Sequence, residues 1–150
     1  MNKYILMMIL VSGSHCLLAQ GEEELSPWQT LSQLKYKQRY DEKAGGLVTV
    51  PEFSPMLKAR ENTEFIILGY YLPFEMPEKN QMVLSFYPYA SCFFCGGGGP
   101  ETAVEVELNE AIPKLKMDEL VRVKGKLKLN DKDWNRLIFI IEDAVIIERI

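Results

Sequence analysis

The sequence predicts an all-β protein: a five-stranded Greek-key barrel of the oligonucleotide/oligosaccharide-binding type, preceded by an extension with two short helices and one or two extra strands. Three observations predict it. Five β-patterned segments follow one another from residue 64 onward. Glycines interrupt the first (Gly69) and the fourth (Gly125), as at barrel corners. A longer connection joins the third and fourth segments, as in a Greek key. An open β-sandwich of similar strand number is the competing architecture.

The elements follow in order. Met1-Asn2-Lys3 and the apolar run Tyr4 to Val11, then Ser12-Gly13-Ser14 and Leu17-Leu18-Ala19, have the charged start, short apolar middle and small final residue of a secretory signal peptide. Residues 1–19 are therefore expected to be cleaved after Ala19. The apolar part is too short to span a bilayer, which takes about 20 residues, so the mature chain is expected to have no transmembrane segment. Cys16 has a second reading as a lipid-modified cysteine, but His15 stands where a small residue is needed. Residues 20–62 form the extension. Ser26-Pro27-Trp28 starts a helix continued by Leu31 and Leu34 at helical spacing. From Leu34 to Asp41 the period changes to two, as for a strand with one wet face. Gly45-Gly46 turns the chain into Leu47–Val50, stopped by Pro51, and Ser54-Pro55 opens a second helix through Arg60.

Residues 63–150 form the barrel. Glu64 to Leu72 is the first strand and Gln81 to Tyr87 the second. Ala103 to Leu108 alternates strictly and is the third. Leu120 to Leu129 is the fourth, and Leu137 to Ile147 the last. The residues Lys124, Lys126 and Lys128 share one face of the fourth, as on a solvated edge guarded against aggregation. The aromatic group Tyr70, Tyr71, Phe86, Tyr87, Tyr89, Phe93 and Phe94 has two readings, core filling and a stacking platform; alternation favours core.

Cleavage removes His15 and Cys16, so the mature chain has no histidine and only Cys92 and Cys95 as thiols. A Ser-His-Asp enzyme is thereby excluded. Removing Lys3 moves the formal net charge from −4 to −5, which argues against a nucleic-acid partner. Export means an oxidising compartment, where neighbouring thiols pair.

The candidate site is the stretch Cys92-Phe93-Phe94-Cys95-Gly96-Gly97-Gly98-Gly99-Pro100-Glu101. Four readings stay open. A disulfide between Cys92 and Cys95 would fix the shape of the loop. A redox-active dithiol needs a helix N-terminus beside the cysteine, and four glycines with a proline do not supply one. A metal site for Zn or Cu(I) would have two sulfurs and a further carboxylate such as Glu101, or a pair from a second chain. An anion cradle would need Gly96 to Gly99 at positive φ with their N–H groups turned inward. No cofactor is expected and no catalytic residue is singled out.

Gly69-Tyr70-Tyr71-Leu72-Pro73, Leu84-Ser85-Phe86-Tyr87-Pro88, Cys92-Phe93-Phe94-Cys95 with Pro100-Glu101, and Val121-Arg122-Val123-Lys124-Gly125 resemble exported bacterial proteins of the domain-of-unknown-function 3299 type. Trp28-x-x-Leu31 and Pro51-x-Phe53-Ser54 fit as well, so the resemblance covers most of the mature chain. It implies a periplasmic or secreted protein and no established activity. That family follows its first loop cysteine with a histidine- and proline-rich run, and Phe93, Phe94, Cys95 and the glycines replace it here. A metal role through loop histidines is therefore not carried over. The expected function is that of an exported binding or accessory module acting through this loop on an envelope protein; the alternative is thiol redox or metal handling by Cys92 and Cys95.

Overall fold

The computed structural model describes residues 26–150. The expected signal peptide and cleavage after Ala19 fall outside the described residues. Helix α1 (Pro27–Leu31) opens on a capping box: Gln29 N–H donates to Ser26 Oγ (3.3 Å) and Ser26 N–H to Gln29 Oε1 (2.9 Å). It ends at Leu31, short of the expected Leu34. Strands β1 (Lys35–Asp41) and β2 (Gly46–Glu52) make an antiparallel hairpin with Arg39 opposite Val48. β2 runs through Pro51 instead of stopping there, because Pro51 lies in a two-stranded sheet whose outer side needs no N–H donor. Helix α2 (Pro55–Arg60) is capped by Ser54 Oγ, which accepts from Leu57 N–H at 3.3 Å.

β3 (Glu64–Leu72), β4 (Gln81–Ser85), β5 (Ala103–Leu108), β6 (Leu120–Leu129) and β7 (Phe139–Arg149) close into a barrel in the order β3-β4-β5-β7-β6. All neighbours are antiparallel except β5 and β7, which run parallel with Val106 opposite Ile141. A closed five-stranded Greek key is the expected fold class. β4 stops two residues early, since Tyr87 N–H turns back to Ser85 Oγ at 3.1 Å. β7 starts and ends two residues later than the alternation suggested.

The core takes alternate residues of every barrel strand: Ile67, Leu84, Val104, Val123, Leu127 and Ile141 are each at 0% exposure. Leu31 of α1 and Leu57 of α2 reach the same cluster. Each such side chain contributes about 1.5–3 kcal/mol on burial, which is what holds the short helices to the barrel. The two strand glycines have different reasons. At Gly125 the β6–β7 register slips, and a Cβ would come within 2.6 Å of Glu142 O. Gly69 keeps unbroken register with Val121 and stands next to Tyr70, where β3 passes from pairing with β6 to pairing with β4; lacking a Cβ, it also makes room for Ser85 O and the Trp28 ring.

Two readings need correction. β6 lies between β3 and β7, so it is no edge, and Lys124, Lys126 and Lys128 pair outward with Glu64 (2.7 Å), Asp143 (2.9 Å) and Glu142 (2.5 Å). Most of the aromatic group stays out of the barrel centre: the buried core aromatics are Phe65 and Phe139, Tyr71 and Phe93 pack on the cores only partly buried, and Phe86, Tyr89 and Phe94 are exposed.

Candidate functional site

The β4–β5 connection carries the candidate residues. Pro88 ends the extended chain, and three 3-10 turns follow at Tyr89–Ser91, Phe93–Cys95 and Pro100–Thr102. Their backbone bonds are local and dense. Cys92 O accepts both Cys95 N–H (2.9 Å) and Gly97 N–H (3.1 Å), and Phe93 O accepts Gly96 N–H (2.9 Å). Gly96 closes the second turn at φ +82, a conformation that favours glycine. Gly97 presses on the Ser91 carbonyl so closely that a Cβ would overlap it. The glycine run is thus a packed corner.

That geometry removes the anion cradle. Of Gly96, Gly97, Gly98 and Gly99, Gly96 alone has positive φ, and the N–H groups of Gly96 and Gly97 are already donated to backbone carbonyls. A nest needs successive N–H groups converging on open space.

Cys92 anchors the loop from below. It is fully buried in a small second core with Leu72, Val83 and Ala103, against which Phe74, Met76, Phe93 and Leu137 pack. Cys95 lies on the surface, its Sγ 3.8 Å from Cys92 Sγ and donating to Tyr89 O at 3.3 Å. The sulfurs face each other as free thiols; the disulfide is not formed in this structure. The hydrogen bond shared with Cys92, then burial and the proximity of the second thiol, push the Cys95 thiol up from its ordinary value. A reactive cysteine is shifted the other way. Among the described residues no cluster of three or more His, Cys, Asp or Glu side chains stands at metal-binding distances, so the pair offers two sulfur donors without Glu101.

Above the cysteines sits an aromatic surface that the sequence reading only partly located. Phe94 packs edge-on against Phe74 (centroids 4.6 Å apart) and beside Phe93 (5.2 Å), and Phe74 meets Tyr89 (5.9 Å). Phe94 is 48% exposed and Tyr89 36%. Asp118 Oδ1 accepts Tyr89 N–H at 2.6 Å and ties the loop to the β5–β6 connection. Phe74 and Asp118 had no sequence signal beyond type: each is distant in the chain and joins the site only when the barrel closes. Pro100 and Glu101 lie in the third turn, outside the Phe74–Tyr89–Phe93–Phe94 contacts.

No protein-family model matches the chain, and no curated protein matches it. A solved structure that is similar is the crystal structure of a domain-of-unknown-function 3299 family protein from Pseudomonas aeruginosa PAO1. It is 19% identical, the alignment covers 63% of this chain and 67% of that one, and the TM-score is 0.47. Among the described residues no helix is long and apolar enough to cross a membrane.

Proposed function

We propose that the protein is an exported binding or accessory module that docks on an envelope protein through the loop Cys92–Glu101. The observation that supports this most is the pairing of rigidity with exposed apolar surface. A loop held by local backbone bonds and a buried Cys92 presents Phe94 and Tyr89, backed by Phe74, to solvent. Aromatic side chains held in place lose little entropy on association and are the usual anchors of interfaces. Cys92 and Cys95 serve as the internal clip of this loop.

The second reading, thiol redox or metal handling, draws on the 3.8 Å sulfur separation with one thiol exposed. The upward shift of Cys95 counts against it as a nucleophile.

The test is photo-crosslinking in the cell envelope. A photoreactive residue replaces exposed Ser91 in the exported protein, and an equivalent probe at exposed Trp134 serves as control. The proposal expects one discrete protein adduct from position 91, absent from position 134 and lost when Phe94→Ser is added. A stoichiometric metal in the purified protein, or a disulfide that cycles readily under mild reductant, would support the second reading instead.

A further inference from the structure

A cleft of about 390 Å³, lined by none of Phe74, Tyr89 and Phe94, opens between α1 and the turn leading into β5. Such a volume is within the range of small-molecule sites. Three aromatic rings, of Trp28, Phe86 and Tyr87, line it beside the polar Ser26, Gln29, Ser32 and Thr102. Phe86 stands in the middle, 5.7 Å from Trp28 at 59° and 4.8 Å from Tyr87 at 76°, so the rings form a corner and do not stack flat. The corner is held by the fold: Trp28 Nε1 donates to Leu68 O at 2.8 Å, and the Trp28 ring lies over Gly69. Gly98 leaves room for the Tyr87 ring, since a Cβ there would come within 3.1 Å of it. The central ring, Phe86, is nevertheless 46% exposed.

The charged complement has one sign. Glu101 lines the cleft, no lysine or arginine does, and among the described residues Glu101 has no ion-pair or hydrogen-bond partner. On the barrel strands Glu64, Asp143 and Glu142 are answered by the lysines of β6; Glu101, in the turn before β5, has no such partner. The charge of Glu101 is felt nearby: it adds to burial in raising the Tyr36 phenol above its ordinary value.

Aromatic faces attract a weakly hydrated cation through the ring quadrupole, and a carboxylate at the rim adds charge attraction. A primary ammonium keeps its water more tightly than a methylated one, so the trio of rings favours the methylated cation. We propose that the Trp28–Phe86–Tyr87 corner with Glu101 is a binding site for a quaternary ammonium group of the choline type. It lies apart from the Phe94 surface, and it does not depend on the cysteines.

The probe is choline, with 3,3-dimethylbutan-1-ol as the neutral molecule of the same shape. The protein is expressed from its full sequence in a Trp134→Phe background, because Trp134 is 64% exposed and would dilute the Trp28 signal. Choline is expected to change Trp28 fluorescence saturably, and the neutral alcohol to bind roughly tenfold more weakly. Phe86→Ala is expected to weaken choline roughly two- to fivefold, and Glu101→Gln up to about fivefold, with unchanged circular dichroism. Flotation with phosphatidylcholine vesicles against phosphatidylglycerol vesicles separates a lipid headgroup from a free molecule. Selective phosphatidylcholine flotation assigns the headgroup, and choline binding without flotation assigns the free compound. No saturable response to choline, or equal affinity for choline and the neutral alcohol, overturns the proposal. Either result leaves the crosslinking test at Ser91 unaffected.

Discussion

Replacing Arg136 by Met is expected to be among the most damaging single changes on the barrel wall. Arg136 Nε and Nη2 donate to Glu105 Oε1 at 2.9 and 2.7 Å, and Nη2 also donates to Glu107 Oε1 at 2.7 Å. The other Glu105 oxygen accepts Leu137 N–H at 3.3 Å. Glu105 is 3% exposed, whereas the Arg136 side chain is 23% exposed. Burial works against the Arg136 charge, but Glu105, Glu107 and Glu142 outweigh it and hold the guanidinium above its ordinary value. Methionine keeps the stem and removes the charge, so a carboxylate is left buried with one weak backbone donor. Breaking one half of such a pair costs about 3–5 kcal/mol, much of it the penalty for the stranded charge. Replacing both partners with apolar residues removes that penalty, so Arg136→Met with Glu105→Leu is expected to recover most of the loss. Urea unfolding followed by circular dichroism measures all three proteins. A single variant within about 1 kcal/mol of the parent, or a double variant less stable than the single, refutes the reasoning that the pair is buried and mutually dependent.

Further outcomes follow from the same geometry. Gly97→Ala forces a Cβ onto the Ser91 carbonyl and is expected to destabilise by about 1–3 kcal/mol. Gly46→Ala, with open space around it and no positive φ, is expected to be neutral or to stabilise by about 0.4–1 kcal/mol in thermal unfolding. In the reduced protein, iodoacetamide is expected to modify Cys95 alone, with a pH midpoint above that of a free thiol, and to reach buried Cys92 only on unfolding; labelling of both in the native state contradicts this. Glu119 is held below the usual carboxylate range by Arg149 Nε at 2.6 Å and then by Lys116 N–H at 2.9 Å. Its contribution is therefore present above its unfolded value, about 4.3, and is lost as pH falls through the lower folded value. The stability gap between the parent and Glu119→Gln is expected at pH 7 and to close below that window.

What was legible in the sequence was whatever depends on near neighbours. Ser26-Pro27 and Ser54-Pro55 announced both helix starts because a cap acts within one turn. The span of β3 was readable as a nearly continuous apolar run closed by Pro73, and those of β5 and β6 by their alternation. Failures came where a distant residue changes the meaning of a local pattern. Glu105 reads as the wet position of an alternating strand, yet Arg136 from 31 residues away covers it. The lysines of β6 read as an edge, because closure of the sheet by β3 and β7 is not written in β6 itself. At the site, Cys92 and Cys95 were legible as a pair by spacing, while the roles of Phe74 and Asp118 required the barrel to bring residues 74, 94 and 118 together. The glycine run was legible as special, but its reason is contact with Ser91 in place of freedom to bind an anion.

The most direct measurement compares the Ser91 crosslinking in two backgrounds side by side, Cys95→Ala and Phe94→Ser. If the loop acts by shape and aromatic surface, the adduct survives loss of the Cys95 sulfur and disappears with the Phe94 ring. An adduct that vanishes in Cys95→Ala while persisting in Phe94→Ser puts the chemistry in the thiol pair and contradicts the account.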